Sequence, residues 1–249
     1  MTGEYFSGSD PIPGGIFGSQ IYLAKVIELT AAEALRQINR DQLTNLVNLS
    51  ALYYGLEQKI KEGKEVGALV MDITKFKELN DSSGHPAGNL VLASFARWLE
   101  TKLRPADDVI GRIGGDEFAA GLDLTARSDE RFTKEERLEA VIRHLNKDMP
   151  GFFAELPPDL REAAKAANVS VAIGGSIHKA GESAEAVIFE ADANMYKAKE
   201  EQHQTIDEVL LQSLKPEEQV ALEGAKEKLV EVGFDINLRT MLRIIQSSR

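Results

Sequence analysis

The feature that most constrains the fold is a short glycine-containing loop between two short apolar segments near the middle of the chain. The apolar segments are residues 109–113 and 118–122, and the loop reads Gly114-Gly115-Asp116-Glu117. A loop of this length and composition is typical of a β-hairpin, whose two strands are antiparallel. A purely parallel sheet is therefore excluded, and the sequence predicts an α+β or mixed α/β fold.

Helical and strand patterns alternate on both sides of this hairpin. A nearly continuous apolar run over residues 67–73 predicts a buried strand, and alternation over residues 169–174 predicts another. Apolar residues at helical spacing predict helices at residues 46–60, 90–103 and 184–199. Thr133 and Glu136 match a capping box, which predicts the start of a helix that runs through Leu145. The predicted element order is α-β-α-β-β-α-(α)-β-α.

The two ends of the chain differ from its centre. Residues 1–18 are rich in glycine and proline and predict a flexible leader. Residues 19–40 carry one apolar stripe and predict a single helix, which packs either on the core or on a second copy of the chain. Residues 204–249 predict two or three short helices, which form either a small appended module or a C-terminal clasp. The central domain is expected to span residues 41–203.

Composition excludes several classes of function. The chain has 249 residues, of which 29 are basic and 40 acidic, and its net charge of −11 argues against a nucleic-acid partner. It contains no cysteine, which excludes disulfides, zinc–thiolate sites, iron–sulfur clusters and thiol catalysis. It shows neither a signal peptide nor a run of about 18 apolar residues that could span a membrane. We therefore expect a cytoplasmic protein with no membrane segment.

Acidic residues stand at the ends of two predicted strands. Asp72 ends the apolar run, where a carboxylate is unfavourable unless it is solvated, paired or bound to a cation. Asp116 and Glu117 follow two glycines at the hairpin tip, where the backbone can approach a ligand closely. If the two strands are neighbours, these carboxylates converge and suit Mg²⁺, which also binds substrate phosphates. Acidic residues are common at strand ends and in loops, so spacing alone leaves a purely structural role open.

Six motifs, in order, resemble the diguanylate cyclase (GGDEF) family. Residues 114–118 spell its signature, and Arg112 precedes them at the family's arginine position. The family's opening motif is matched by Asp41-x-Leu43-Thr44-x-Leu46-x-Asn48. The others are matched by Asp72-Ile73-Thr74-x-Phe76-Lys77-x-x-Asn80-Asp81, Gly84-His85-x-x-Gly88-Asn89, residues 169–174 and Ala191-Asp192-x-x-Met195-Tyr196-x-Ala198-Lys199. Six ordered motifs over residues 41–200 make chance agreement negligible.

The resemblance implies a fold, a reaction and a set of site residues. The fold is that of the nucleotidyl cyclase and polymerase palm, with a mostly antiparallel central sheet between helices. The reaction condenses two GTP molecules into cyclic di-GMP and two pyrophosphates across a homodimer, with Mg²⁺ or Mn²⁺. The implied metal-binding groups are the carboxylates of Asp72 and Asp116 and the carbonyl of Ile73. Asp116 and Glu117 are the implied catalytic residues, and the substrate-binding positions are Lys77, Asn80, His85, Asn89, Arg112, Gly114, Gly115 and Lys199. His85 is placed in a loop, where fixing that loop is an equally good role.

The chain departs from the family pattern at several positions. Asn89 stands where the family has an aspartate that accepts from both guanine N1–H and the 2-amino group. An amide offers one oxygen only, which should cost about 1–3 kcal/mol, or roughly 5- to 150-fold in affinity. Asn45 replaces a glycine, Leu49 an arginine and Thr74 an aspartate. His203 stands at the position of an arginine that often reaches phosphate.

The product-inhibition motif of the family, R-x-x-D, is also altered. Asp108 holds the aspartate position, but Pro105 stands at the arginine position. The sequence Arg104-x-x-Asp107 is shifted by one residue. We therefore expect an inhibitory site made by Arg104, Asp107 and Asp108 to be absent or impaired.

Three functions remain open at this level. The first is an active diguanylate cyclase, favoured by the complete set of acidic and lysine positions. The second is a catalytically degenerate domain that binds a guanine nucleotide as a regulatory ligand, favoured by Asn89, Leu49 and His203. The third is a structural dimerisation module. Nucleotide binding separates the third from the others, and turnover separates the first from the second.

Overall fold

The structure is a computed structural model that describes residues 37–125 and 131–213 together with the single positions 25, 222 and 224. The side chains after residue 202 are described only at residues 222 and 224. Apart from the single positions, the predicted leader, most of the predicted helix at residues 19–40 and the tail after residue 213 lie outside the described residues. The side chain of His203 lies outside them as well.

Between residues 49 and 213 the described residues form six helices and four strands. The helices are α1 (Leu49–Lys61), α2 (Phe76–Ser83), α3 (His85–Lys102), α4 (Lys134–Glu155), α5 (Pro158–Ala166) and α6 (Ala184–Ser213). The strands are β1 (Val66–Thr74), β2 (Val109–Arg112), β3 (Glu117–Asp123) and β4 (Ser170–Ile177). Within the described ranges, none of the helices combines the length and apolar character needed to cross a membrane.

The four strands form one antiparallel sheet in the order β2-β3-β1-β4. β2 and β3 pair through the predicted hairpin, and β3 then pairs with the central strand β1. The predicted antiparallel sheet flanked by helices is confirmed. In this register Asp72 on β1 lies opposite Glu117 on β3 and Ala172 on β4.

Helices cover both faces of the sheet. Because successive side chains on a strand point to opposite faces, β1 contributes Leu69, Met71 and Ile73 to one core cluster and Ala68 and Val70 to another. The first cluster includes residues of α3, α4 and α5, and the second includes residues of α1 and α6. All nine residues of β1 are buried, which explains why its sequence is continuously apolar instead of alternating.

Some predicted boundaries differ from the structure. The polar segment after β1 is a short helix, α2, so His85 is the first residue of α3 and does not lie in a loop. The predicted end of the central domain at residue 203 falls within α6, which continues to Ser213. The capping box is confirmed: Thr133 Oγ1 accepts from Glu136 N at 3.2 Å, and Glu136 Oε2 accepts from Thr133 N at 2.8 Å.

Close contact between α6 and β4 depends on Gly174. A Cβ atom at this position would lie 1.9 Å from Met195 N and 2.4 Å from Ala191 O, both main-chain atoms of α6. Main-chain atoms within a helix cannot move away as a flexible side chain can. The absence of a side chain at residue 174 therefore sets how closely α6 approaches the sheet.

We expect Gly174→Ala to lower the free energy of unfolding by about 3 kcal/mol, the upper end of the usual overpacking effect. The matched control is Gly151→Ala in α4, where an added Cβ meets no atom within 4 Å. That control should raise the free energy of unfolding by up to about 1 kcal/mol, because alanine favours a helix. Urea denaturation measures both, and equal effects of the two substitutions would contradict the packing argument.

Candidate active site

The carboxylate of Asp72 lies at the end of the central strand β1. Asp72 is only 6% exposed, and a buried carboxylate is unfavourable unless a cation or hydrogen-bond donors face it. The ammonium of Lys199 on α6 supplies the cation, with Nζ 2.8 Å from Asp72 Oδ1. The fold thus joins two predicted site residues that are 127 positions apart in the chain.

The hairpin tip lies beside the same strand end. The main-chain oxygen of Asp116 accepts a hydrogen bond from Ile73 N at 3.1 Å. In antiparallel pairing the N–H and C=O of one residue point to the same edge of the strand, so the carbonyl of Ile73 also faces the hairpin. The three predicted metal-binding residues, Asp72, Ile73 and Asp116, therefore meet at one corner of the sheet, which we call the acidic corner.

Like charges crowd the acidic corner. Burial, and then the charge of Asp72, raise the pKa of Asp116 above its ordinary value. Burial, and then the charges of Asp116, Asp192 and Asp72, raise the pKa of Glu117. Each ionised carboxylate makes ionisation of its neighbours less favourable because like charges repel. A bound cation would relieve this repulsion.

Arg112 holds the hairpin loop in place. Its Nε and Nη2 donate to the carbonyl of Gly115 at 3.2 and 2.6 Å. Its Nη1 lies 3.2 Å from both carboxylate oxygens of Asp41. Asp41 is itself fixed by the main-chain N and the hydroxyl of Thr44. The guanidinium of Arg112 is thus engaged with the protein on two sides, which favours a loop-fixing role over the predicted substrate contact.

The two glycines of the loop serve different purposes. A Cβ at Gly114 would lie 2.4 Å from Glu117 Oε2, so a side chain there would displace that carboxylate. A Cβ at Gly115 would meet nothing within 4 Å. Gly115 therefore leaves open space at the tip, which a ligand could approach.

Four other predicted substrate-binding residues surround the junction of α2 and α3. Lys77 and Asn80 lie on α2, while His85 and Asn89 are the first and fifth residues of α3. The side chains of Lys77, His85 and Asn89 are exposed. Asn80 Oδ1 is buried without a hydrogen-bond partner, and a Cβ at Gly88 would lie 2.0 Å from it. Gly88 thus makes room for the Asn80 amide. α2 begins two residues after β1 ends, so the chain reaches this junction soon after it leaves Asp72.

The acidic corner fits a metal that also binds its substrate. In the part of the chain that the structure describes, no three acidic or histidine side chains form a cage for a metal ion. Mg²⁺ does not need one, because it commonly uses one or two carboxylates and completes its shell with water and phosphate oxygens. The carboxylates of Asp72 and Asp116 and the carbonyl of Ile73 could supply these few protein ligands. Manganese accepts the same oxygen ligands.

Two of the departures from the family pattern, Asn45 and Thr74, have local explanations, and nothing in the structure explains Leu49. Asn45 has φ of 60°, a left-handed conformation that glycine and asparagine adopt more readily than other residues. The hydroxyl of Thr74 lies 2.5 Å from that of Ser170 on β4, so it joins two strands. Leu49 begins α1, after Asn48, whose side chain accepts from Ala51 N at the helix start.

The predicted inhibitory residues are engaged in a turn at the end of α3. The Asp108 carboxylate accepts from Arg104 N at 2.9 Å and from Asp123 N at 3.0 Å. The Arg104 guanidinium donates to that carboxylate and to the carbonyl of Asp123, while the carbonyl of Asp107 accepts from Lys59. A cavity of about 380 Å³ opens beside this turn. The shifted Arg104 thus contributes to the protein's own hydrogen bonding.

Three residues near the site were not among the predicted site residues. Asp41 fixes Arg112, Asp192 adds to the negative charge around Glu117, and Gln202 follows Lys199 on α6 and bonds to β4. The sequence offered a signal for Asp41 and Asp192, since both lie in recognised motifs. It offered none for Gln202, because only packing of α6 on β4 brings this side chain to its partner.

The chain belongs to the GGDEF-domain family. A family profile described as "Diguanylate cyclase, GGDEF domain" matches residues 38–205, well over half of the chain. This range contains all four strands and all the predicted site residues, and it ends within α6.

Curated relatives carry related names. Diguanylate cyclase DgcP of Pseudomonas aeruginosa is 35% identical over 163 residues, which cover 64% of this chain and 22% of that protein. Response regulator PleD of Caulobacter vibrioides is 33% identical over 165 residues, covering 64% and 33%. Cyclic di-GMP phosphodiesterase PdeB of Shewanella oneidensis is 32% identical over 123 residues, covering 48% and 14%. The chain thus spans a third or less of the length of each of these relatives.

Solved structures share the fold. The chain matches diguanylate cyclase SiaD of Pseudomonas aeruginosa, crystallised with its activator SiaC, with a TM-score of 0.54 and 26% identity, covering 74% of this chain and 66% of that one. It matches a sensory box/GGDEF family protein from Caulobacter crescentus with a TM-score of 0.51 and 30% identity, covering 66% and 99%.

The crowding of charge predicts an effect on stability. A carboxyl whose pKa is raised in the folded state contributes stability at low pH that is lost as the pH rises through that raised value. We therefore expect Asp116→Asn to raise the melting temperature at neutral pH, with the gain shrinking as the pH falls below the folded-state pKa of Asp116. Melting curves from acid to neutral pH measure this.

The matched control is Asp159→Asn, which removes a charge from the first turn of α5, where a carboxylate is favourable. This control should lower the melting temperature slightly at neutral pH. A lower melting temperature of Asp116→Asn at neutral pH would contradict the proposed crowding of charge.

Proposed function

We propose that this chain is a diguanylate cyclase that joins two GTP molecules into cyclic di-GMP. The observation that carries the proposal is the acidic corner, where Asp72, Ile73 and Asp116 meet beside Lys199 in a chain of the GGDEF-domain family. The names of DgcP and SiaD support the same reaction. Since GTP is a cytoplasmic nucleotide, a cytoplasmic site of action is part of the proposal.

The reaction forms two phosphodiester bonds. Each 3′-hydroxyl oxygen attacks the α-phosphorus of the other nucleotide, and the bond from that phosphorus to the bridging oxygen of the β-phosphate breaks. One pyrophosphate leaves at each step, and the hydroxyl proton passes to a base. In the described residues each copy presents one acidic corner, so we propose that two copies face each other and each holds one GTP.

Each residue of the acidic corner receives a role under this proposal. Asp116 accepts the hydroxyl proton, because the hairpin tip holds its carboxylate at the edge of the site beside the end of β1. Lys199, which lies beside Asp72, faces the triphosphate as a positive charge, together with the exposed Lys77. Mg²⁺ bound by the Asp72 and Asp116 carboxylates would neutralise charge that develops on the phosphates. Glu117 adds a further carboxylate next to them.

The junction of α2 and α3 is proposed to recognise guanine. Asn80, with its unpaired buried oxygen, and the exposed Asn89 offer amide groups to the base edge. Neither side chain offers a carboxylate, so recognition of the guanine N1–H and 2-amino group is weaker than with aspartate.

A second candidate is a guanine-nucleotide-binding domain that regulates a partner without forming product. Asn89 favours it, and so does similarity to PdeB, whose name describes a phosphodiesterase. Under this alternative GTP binds and cyclic di-GMP does not form.

We expect purified protein at high concentration to convert GTP into cyclic di-GMP when Mg²⁺ is present, because two copies must meet. Asp116→Asn should abolish product, since it loses both a metal ligand and the base. Chromatography with mass spectrometry measures the product, and titration calorimetry measures GTP binding to both proteins. Binding without product would favour the regulatory domain, and absence of binding would favour a structural module.

Added cyclic di-GMP should inhibit little, because the carboxylate of Asp108 is engaged within the protein.

Replacing Asn89 by aspartate should strengthen guanine recognition. We expect Asn89→Asp to raise kcat/KM for GTP by roughly 5- to 150-fold, the equivalent of about 1–3 kcal/mol. The gain should be smaller for inosine triphosphate, which lacks the 2-amino group. Asn168→Asp adds the same charge at an exposed turn before β4 and is the matched control. An equal gain for both nucleotides would contradict a contact between residue 89 and the 2-amino group.

A further inference from the structure

Two amide side chains of α6 bind the main chain of β4. Asn194 Nδ2 donates to the carbonyl of Gly175 at 2.9 Å, and Gln202 Nε2 donates to the carbonyl of Val171 at 3.1 Å. Lys199 lies between these two residues on the helix. The contact at Gly174 already brings α6 close to β4, but packing alone does not fix the position of the helix along the strand.

The spacing of these contacts matches the geometry of the two elements. Asn194 and Gln202 are eight residues apart, or about 12 Å along a helix. Gly175 and Val171 are four residues apart, or about 13 Å along a strand. The helix and strand run in opposite directions, and the two bonds set a single register between them. A shift of α6 by one turn would break both.

The two carbonyls are free to accept these bonds because β4 is an edge strand in the described sheet. The residue after β4, His178, donates its N–H to Val66 of β1. Main-chain groups of alternate residues in a strand point to the same edge. Those of the odd-numbered Val171 and Gly175 therefore point away from β1, where the side chains of α6 reach them.

The amide of Gln202 is also held on its other side. Its Oε1 accepts from the hydroxyl of Ser170 at 3.4 Å, and the same hydroxyl lies 2.5 Å from that of Thr74. Thr74 is two residues from Asp72 on β1. A chain of hydrogen bonds thus connects the helix turn that carries Lys199 to the strand end that carries its partner carboxylate.

We propose that Gln202 and Asn194 are positioning residues, which hold α6 in register on β4 and thereby place the Lys199 ammonium beside Asp72. The role of Lys199 towards the triphosphate rests on the proposed function, but its placement does not. Asn194 and Gln202 lie on either side of Lys199 along α6. Both are far in sequence from the hairpin and from the α2–α3 junction. They act on the reaction only through that lysine.

The first test needs no nucleotide. Acetic anhydride labels the lysine amines that it can reach, and contact with Asp72 leaves the Lys199 side chain only 30% exposed. We expect Gln202→Met and Asn194→Leu each to raise the acetylation rate of Lys199 about fivefold, the factor that corresponds to one hydrogen bond. Peptide mass spectrometry measures the rate relative to that of Lys61, an exposed lysine on α1.

The matched control for this labelling is Gln58→Met, the same substitution on α1, which should leave the Lys199 rate unchanged. An unchanged Lys199 rate in Gln202→Met and Asn194→Leu, with Lys61 constant, would overturn the proposal. Because GTP takes no part, this outcome is independent of whether the chain makes cyclic di-GMP.

The second test separates positioning from general stability. In the presence of Mg²⁺, Gln202→Met should weaken GTP binding about fivefold, with a melting temperature close to that of the unsubstituted protein. In a Lys199→Met background the same substitution should have no further effect on the dissociation constant, because its effect passes through Lys199. An additive loss in that background would overturn the proposal. If GTP binds and no product forms, only the proposed synthesis fails.

Discussion

The site depends on a strand that is buried on both faces and yet ends in a carboxylate. β1 lies at the centre of the sheet, and helices on either side exclude water from all nine of its residues. Burial of this kind stabilises the apolar residues and destabilises an ionised Asp72. The ammonium of Lys199 offsets that cost. The close approach of α6 to the sheet thus serves the core and the candidate chemistry together.

The same constraint explains the electrostatics of the corner. β3 is the antiparallel neighbour of β1, so the register places Glu117 opposite Asp72 and brings the hairpin tip to the strand end. Three carboxylates then share one region with one ammonium, and the pKa values of Asp116 and Glu117 rise. Such an arrangement is unfavourable for the folded protein alone and favourable for binding a cation with a polyanionic nucleotide.

The hairpin loop and α6 are held by polar contacts. The guanidinium of Arg112 joins the Gly115 carbonyl to the carboxylate of Asp41. On the other side of Asp72, the amides of Asn194 and Gln202 join α6 to the free edge of β4. Apolar packing is not directional, whereas hydrogen bonds fix distance and orientation. These contacts therefore set the geometry that the apolar core leaves unspecified.

The sequence by itself determined the strand β1, the hairpin, the fold class and most of the candidate residues. Local patterns suffice there, because burial on two faces requires a continuous apolar run and a short glycine-containing loop between two apolar segments predicts a hairpin. The polar segment after β1 was not recognised as a helix, since α2 has only eight residues, of which Leu79 alone is buried. Only the tertiary structure decided that Arg112 is engaged with Asp41 and that Gln202 bonds to β4. Those contacts join residues distant in sequence, and the register of α6 on the sheet, which no local pattern encodes, brings Lys199 to Asp72.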